Sequence, residues 1–247
     1  MPKTQSGPPS GAVLGVLGDV VESRGHPDRR ALHRRVQAAL ERANSLLPMM
    51  QPLSATVGDE FQGICETLTT ALEATLIVRL ALVGQADVRF GIGKGRLRSF
   101  DPAHAPYEQD GPAWWAAREA IESTAELMMR KGAPKGLRTV YVEWVGNRKD
   151  DDSRQLSLFR LPPPLVGTRS ETERLTNAYL LCRDELVGKA DPRGARLMLG
   201  RIEQEPVTRT SKQEKITVSA VNQKNRNSGA YAVELSVEIL EGSERSD

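Results

Sequence analysis

Residues 53–64, LSATVGDEFQGI, consist of two short extended runs joined at Gly58-Asp59, the kind of dipeptide that closes a tight hairpin. Asp59 then sits at the hairpin tip. Upstream, residues 11–21, GAVLGVLGDVV, have the small and β-branched character of a buried strand, expected over Ala12 to Asp19. Between the two, Leu32, Val36, Leu40, Ala43 and Leu47 recur at helical spacing among many arginines, which predicts an amphipathic helix lying on the sheet. Downstream, Leu68, Leu72, Leu76 and Leu80 predict a second helix, and residues 88–97, VRFGIGKGRL, a strand punctuated by glycines. The order is therefore βαββαβ. It predicts an α+β, ferredoxin-like domain, an antiparallel sheet with both helices on one face.

Working outward, a third helix is expected from about Pro112 to Met129, followed by strands at LRTVYVEWV (137–145) and RQLSLFRL (154–161). Residues 1–10, rich in Pro, Ser and Gly, read as a disordered arm, and residues 11–161 as the main domain. Pro162-Pro163-Pro164 cannot continue a helix or strand, so 162–168 reads as a stiff linker before a helical domain at 169–247. Within it, residues 206–231 carry five Lys or Arg against one Glu, whereas the last sixteen residues carry five acids against one Arg. That local bias, rather than the net charge of +2, is what bears on nucleic acid.

The two cysteines, Cys65 and Cys182, lie far apart and outside any CxxC or Cys/His cluster, which argues against a disulfide framework or structural zinc and favours a reducing cytoplasm. No apolar run approaches the roughly 20 residues a membrane span needs, so no membrane partner is expected.

Asp19 at the end of the first strand and Asp59 in the hairpin meet if those strands are neighbours. A hard cation such as Mg²⁺ or Mn²⁺ is commonly held by one or two carboxylates plus substrate phosphates, so this pair is a candidate metal site. Glu60 is a third candidate ligand, although alternation turns it away from Asp59 unless the hairpin rotates it. The loop VVESRGHPDRR (20–30) enters a helix N-terminus, where free N–H groups and the dipole favour an anion. Val20, Ser23, Arg24 and Arg29 are the candidate phosphate contacts there, with Lys94 reaching from its strand.

The quoted segments also carry a resemblance. GDVVESR (18–24) resembles the first metal-binding strand of class III nucleotide cyclases, ATVGDEFQG (55–63) their second and the GDEF of diguanylate cyclases, and RFGIGKGRL (89–97) their RxGIxxGxx strand. DGPAWWAARE (110–119) resembles the cyclase segment whose helix supplies an Arg to the triphosphate, at Arg118 here. Taken together the chain resembles the SatD family. The resemblance implies a palm-type domain that binds a nucleoside triphosphate with Mg²⁺, catalytic positions Asp19, Asp59 and Arg118, and a homodimer that completes its sites across a two-fold axis. It also marks departures. Ala55 stands where cyclases contact the base with Lys, Trp114 where they contact ribose with Asn, and Val57 where diguanylate cyclases need a glycine. Trp114 is retained as a candidate stacking residue.

Residues 210–231, TSKQEKITVSAVNQKNRNSGAY, resemble a helix-turn-helix with Ser219 as cap. Lys215, Ser219, Asn222, Gln223, Lys224 and Arg226 are then candidate DNA contacts, and a basic bundle serving dimerisation is the alternative. The expected function is a nucleotide- and Mg-binding regulatory protein whose degenerate palm domain controls a C-terminal DNA- or partner-binding module. An active metal-dependent nucleotidyl cyclase and a ligand-free scaffold remain the alternatives.

Overall fold

A computed structural model of the chain describes residues 11–56, 58–99, 109–144 and 170–244. The expected strand at 154–161, the arm at 1–10 and the linker at 162–168 lie outside those residues. Strand β1 (Ala12–Val20) leads through a short turn to α1 (Arg29–Leu46), then the hairpin β2 (Gln51–Ala55) and β3 (Glu60–Cys65), α2 (Leu68–Leu82) and β4 (Val88–Arg96). A small ribbon of β5 (Arg98–Ser99) and β6 (Gln109–Asp110) precedes α3 (Pro112–Met128) and β7 (Thr139–Glu143). Five helices follow: α4 (Glu171–Gly188), α5 (Pro192–Ile202), α6 (Val207–Glu214), α7 (Val218–Asn227) and α8 (Ala230–Glu244).

The main sheet has the order β2-β3-β1-β4-β7. Its first four strands are antiparallel neighbours, and β7 joins β4 in parallel. This is the split βαβ arrangement with one strand added at the edge. Helices α1 and α2 share a core with Leu14, Val16, Phe61, Phe90 and Ile92 on one face. Helix α3 covers the other, where Trp114, Ala117 and Ile121 meet Val13, Leu17 and Ile64.

The glycines of β4 explain how close α3 comes. A Cβ built on Gly93 would lie 2.1 Å from the Ala117 nitrogen, and one on Gly91 2.3 Å from the Ala117 oxygen. No side chain fits in that space, so the alternating glycines let a helix backbone lie directly on the strand.

Both edges of the sheet are closed by asparagine. On β2, the Leu53 N–H donates to Asn44 Oδ1 at 2.8 Å and Asn44 Nδ2 donates to the Leu53 carbonyl at 2.9 Å. On β7, the Tyr141 N–H donates to Asn177 Oδ1 at 2.9 Å and Asn177 Nδ2 to the Tyr141 carbonyl at 2.8 Å. Glu173 and Asp184, also on α4, accept from the N–H groups of Glu143 and Arg138 at 3.1 and 2.8 Å. A helix thus supplies the hydrogen bonds that a sixth strand would otherwise make.

The C-terminal helices are built into the same core. Leu180 and Val187 of α4, Ala195, Met198 and Leu199 of α5, and Ala230 and Val233 of α8 are buried with the side chains of α1 and α2. Among the described residues, no helix is long and apolar enough to cross a membrane.

Candidate functional site

Strand register assembles the site. Asp19, near the end of β1, is directly opposite Glu60 of β3 on one side and Arg89 of β4 on the other. Because side chains alternate faces, these three emerge toward the α3 side of the sheet. Arg89 donates to the Asp19 carboxylate, and Arg118, projecting from α3, stands parallel to Glu60 with both N···O distances at 3.4 Å. Burial pushes the Asp19 carboxyl above its ordinary value; Arg89 opposes this, and the nearby negative charges of Asp59 and Glu60 reinforce it.

Asp59 belongs to the hairpin turn, beside Gly58 with its φ of +76°. Its carbonyl accepts from the Val20 N–H at 3.4 Å, and its carboxylate accepts from the buried Ser23 hydroxyl. The turn is thereby fastened to the chain leaving β1. Asp59 and Glu60 take different partners, Ser23 and Arg118. Among the described residues, no group of three or more His, Cys, Asp and Glu side chains stands close enough to hold a metal ion. Asp19 and Asp59 remain an all-oxygen pair that suits a hard cation in kind, each already engaged by a donor that such an ion would displace.

Beside Asp59 opens a cleft of about 510 Å³. One wall is the start of α1, with Arg29, Arg30, His33 and Arg34; the other carries Asp59 and Glu60, and Val20, Leu32, Val36 and Ala55 give it an apolar lining. The expected phosphate contacts Val20, Ser23 and Arg29 line this cleft, while the Arg24 side chain lies outside the described part of the structure. The N-terminus of α1 is capped from within the chain, because Asp28 Oδ1 accepts from the Ala31 N–H at 2.8 Å. An anion therefore meets the arginine side chains of the first turns rather than a bare helix end.

Two expected contacts are elsewhere. Lys94 lies five residues along β4 from Arg89, about 17 Å at the usual rise, and its ammonium is 3.3 Å from Glu143. Burial alone would raise the Glu143 carboxyl, but hydrogen bonds from Ser170 and Tyr141, together with Lys94, hold it below its ordinary value. Trp114 is 8% exposed and packs on Gly15 in the core between α3 and β1, so it is no stacking platform; a large ring is needed where Gly15 leaves room. Its neighbour Trp115 is exposed, donates to Asp110 at 2.6 Å and meets Trp144 edge to face.

Sequence reasoning missed Arg89, His33 and Arg34. Arg89 could have been found from register, since it lies two residues before the first glycine of the strand that pairs with β1, on the same face. His33 lies four residues after Arg29 on the same helix face.

In the C-terminal region, α6 and α7 are joined by the three residues 215–217, with Lys215 at φ 54°. Thr217, not Ser219, caps α7: its hydroxyl accepts from the Ala220 N–H at 3.1 Å, which places Ser219 inside the first turn. Lys215, Ser219, Gln223 and Arg226 are exposed and Asn222 is half-buried. Lys224 lies 3.8 Å from Asp191, so part of its charge is met within the protein.

Residues 13–127 match the SatD family. The SatD match spans just under half of the chain and contains β1 through α3, hence every strand and helix that builds the site. Comparison with curated proteins finds no match. Among solved structures, similarity is found to the GGDEF domain of DgcB from Caulobacter crescentus in complex with c-di-GMP, at 13% identity and a TM-score of 0.37, covering 54% of this chain and 78% of that one. An EAL/GGDEF domain protein from M. capsulatus is similar at 13% identity and a TM-score of 0.37, covering 59% of this chain and all of that one.

Proposed function

We propose that the palm domain is a nucleotide-binding regulatory domain that takes its ligand, with Mg²⁺ or Mn²⁺, in the cleft between α1 and the β2–β3 hairpin. The observation that carries this reading is the cleft itself, where Arg29, Arg30, His33 and Arg34 line one side and the hairpin residues Asp59 and Glu60 the other, around about 510 Å³. Guanidinium groups match phosphate oxygens, the carboxylates match a bridging cation, and the apolar lining matches a base or ribose. Asp19 and Asp59 would hold the cation, which would neutralise phosphate charge there.

Regulation is preferred to catalysis because the acids are already matched by protein cations. Arg89 occupies Asp19 and Arg118 faces Glu60, so this arrangement is stable without a pair of metal ions. The output would run through the C-terminal helices, which share the core beneath α2, to the exposed face of α7 and the turn before it, carrying Lys215, Ser219, Gln223 and Arg226, a surface suited to DNA or a partner protein in a homodimer. An enzymatic reading has one observation in its favour. Arg118 stands beside the carboxylate group, where it could bear charge developing on a transferred phosphoryl group.

The test is thermal melting of the full chain against ATP, GTP, CTP and UTP with Mg²⁺ or Mn²⁺. Saturation at 100 times Kd stabilises a protein by roughly 2.7 kcal/mol, well within detection. A cation-dependent rise for one nucleotide, lost in Asp59→Asn, is expected; no rise with any nucleotide at millimolar concentration defeats the reading. Pyrophosphate released from the bound nucleotide would replace the regulatory reading with the enzymatic one.

A further inference from the structure

Asparagine side chains have a repeated use in this protein. Asn44 and Asn177 each present both amide atoms to one residue of a strand edge, accepting from its N–H and donating to its carbonyl. Asn225, on α7, is 1% exposed, and neither its Oδ1 nor its Nδ2 has a hydrogen-bond partner. A buried primary amide with both atoms unmatched is costly, and such groups in native proteins call for an explanation.

Asn225 lines a half-open cavity of about 210 Å³ bordered by α5 to α8. Leu197 and Val221 give it apolar walls, while Arg201, Glu205 and Glu234 supply charge. Arg201 is committed: it donates to Glu234, and its guanidinium lies 4.2 Å from the centre of the Tyr231 ring. Glu205 adds a second negative charge, so the lining does not favour an anionic ligand. The volume equals the share of about seven water molecules in the liquid, too much for the single water that might satisfy one amide. It also falls below the roughly 300 Å³ at which pockets for drug-sized ligands begin, which excludes a whole nucleotide.

We propose that this cavity is a binding site for a small, uncharged planar molecule whose edge carries a hydrogen-bond donor beside an acceptor, as a purine base or an aromatic carboxamide does. Asn225 grips that edge with both amide atoms, the geometry by which asparagine reads adenine and by which Asn44 and Asn177 read a backbone. The ring lies between Leu197 and Val221. Because α5, α6, α7 and α8 all contribute walls, an occupied cavity ties α7 to the helices beneath it.

Isothermal titration of the full chain with adenine, hypoxanthine and nicotinamide, each alone and without a divalent cation, tests the site. At least one is expected to bind with a Kd below 1 mM. Asn225→Asp, which keeps the shape but loses the donor, should weaken it at least about tenfold, and Asn225→Leu should abolish it. Melting of the two variants by circular dichroism establishes that they are folded. Asp59→Asn, in the other cleft, should leave the affinity unchanged, which separates this site from the nucleotide cleft. Absence of binding by all three probes overturns the proposal, as does unchanged affinity in Asn225→Leu or a loss confined to Asp59→Asn.

Discussion

Two clusters of arginine and carboxylate in this protein use the same residue types to opposite ends. Between α2, β7 and α4, Asp184 accepts from Arg183 at 2.9 Å, lies 2.8 Å from Arg79 and accepts from the Arg138 N–H at 2.8 Å. Arg183 donates further to the Leu72 carbonyl and to the hydroxyls of Thr75 and Thr139, at 2.9, 3.1 and 2.9 Å. The Arg183 and Asp184 side chains are 0% exposed, and every group points inward. At the other cluster, Asp19, Glu60, Arg89 and Arg118 are 15, 43, 30 and 49% exposed, and Glu60 also lines the cleft beside α1. Saturation and burial make the first cluster a fastening between the sheet domain and α4. Partial exposure and loose pairing leave the second able to exchange partners with a ligand.

The largest effect should come from opening the sealed cluster. Asp184→Ala leaves two buried guanidinium groups without their acid, and breaking a buried pair in this way costs about 3–5 kcal/mol. Urea unfolding measures it, and a loss below about 1 kcal/mol would mean that water reaches the cluster and the contrast is false. Asn177→Ala comes next. It strands the Tyr141 N–H and carbonyl in the interior, for an expected loss of about 1–3 kcal/mol. Asn44→Ala should cost less, because that amide is only half-buried. Equal losses at the two edges would show that α4 seals its edge no better than α1 does.

Asp19→Asn should act in the opposite direction. Burial raises the Asp19 carboxyl, so in the folded state its ionised form is disfavoured relative to the unfolded chain. The penalty is complete above the folded-state value and disappears below the unfolded value of about 3.9. Asn removes the penalty while still accepting from Arg89, so at neutral pH the variant should be more stable than the parent by up to about 1 kcal/mol. The two melting curves should draw together as pH falls toward 4, where the parent's carboxyl takes up its proton. A variant that melts lower at pH 7 would place Asp19 in the fastening class with Asp184.

The βαββαβ sheet and its helices were largely legible in the sequence, for physical reasons that particular residues display. The spacing of Leu68, Leu72, Leu76 and Leu80 and the turn at Gly58-Asp59 are local signals, and they specify βαββαβ without help from tertiary contacts. What escaped was set by contacts between distant segments. Glu173, Asn177 and Asp184 look like a solvated helix face, yet they are buried against the backbone of β7 and the residue before it, so the sharing of one core between the sheet domain and the C-terminal helices had no local sign. Trp114 was misplaced for the same reason, since the space it fills is created by Gly15, about a hundred residues away. Asp19 and Asp59 were legible as a pair because each ends or interrupts a strand; Arg89, which neutralises Asp19, is visible only once β1 and β4 are set side by side.

The smallest expected stability effect belongs to Arg118→Ala, and it separates fastening from function most sharply. The Arg118–Glu60 pair is about half exposed on both sides and its contacts are 3.4 Å long. Such surface pairs are worth at most about 1 kcal/mol, and salt screens them. Unfolding of the variant should therefore match the parent within that margin, and more closely still in high salt. Its response to nucleotide is a different matter. Arg118 removed leaves Glu60 unopposed at the cleft, so repulsion of phosphate should lower nucleotide affinity even though stability is kept. A variant that is stable but binds nucleotide less well places this arginine with the open cluster's ligand chemistry. A variant destabilised as Asp184→Ala is, with affinity unchanged, would make the two clusters alike and return the cleft to scaffold.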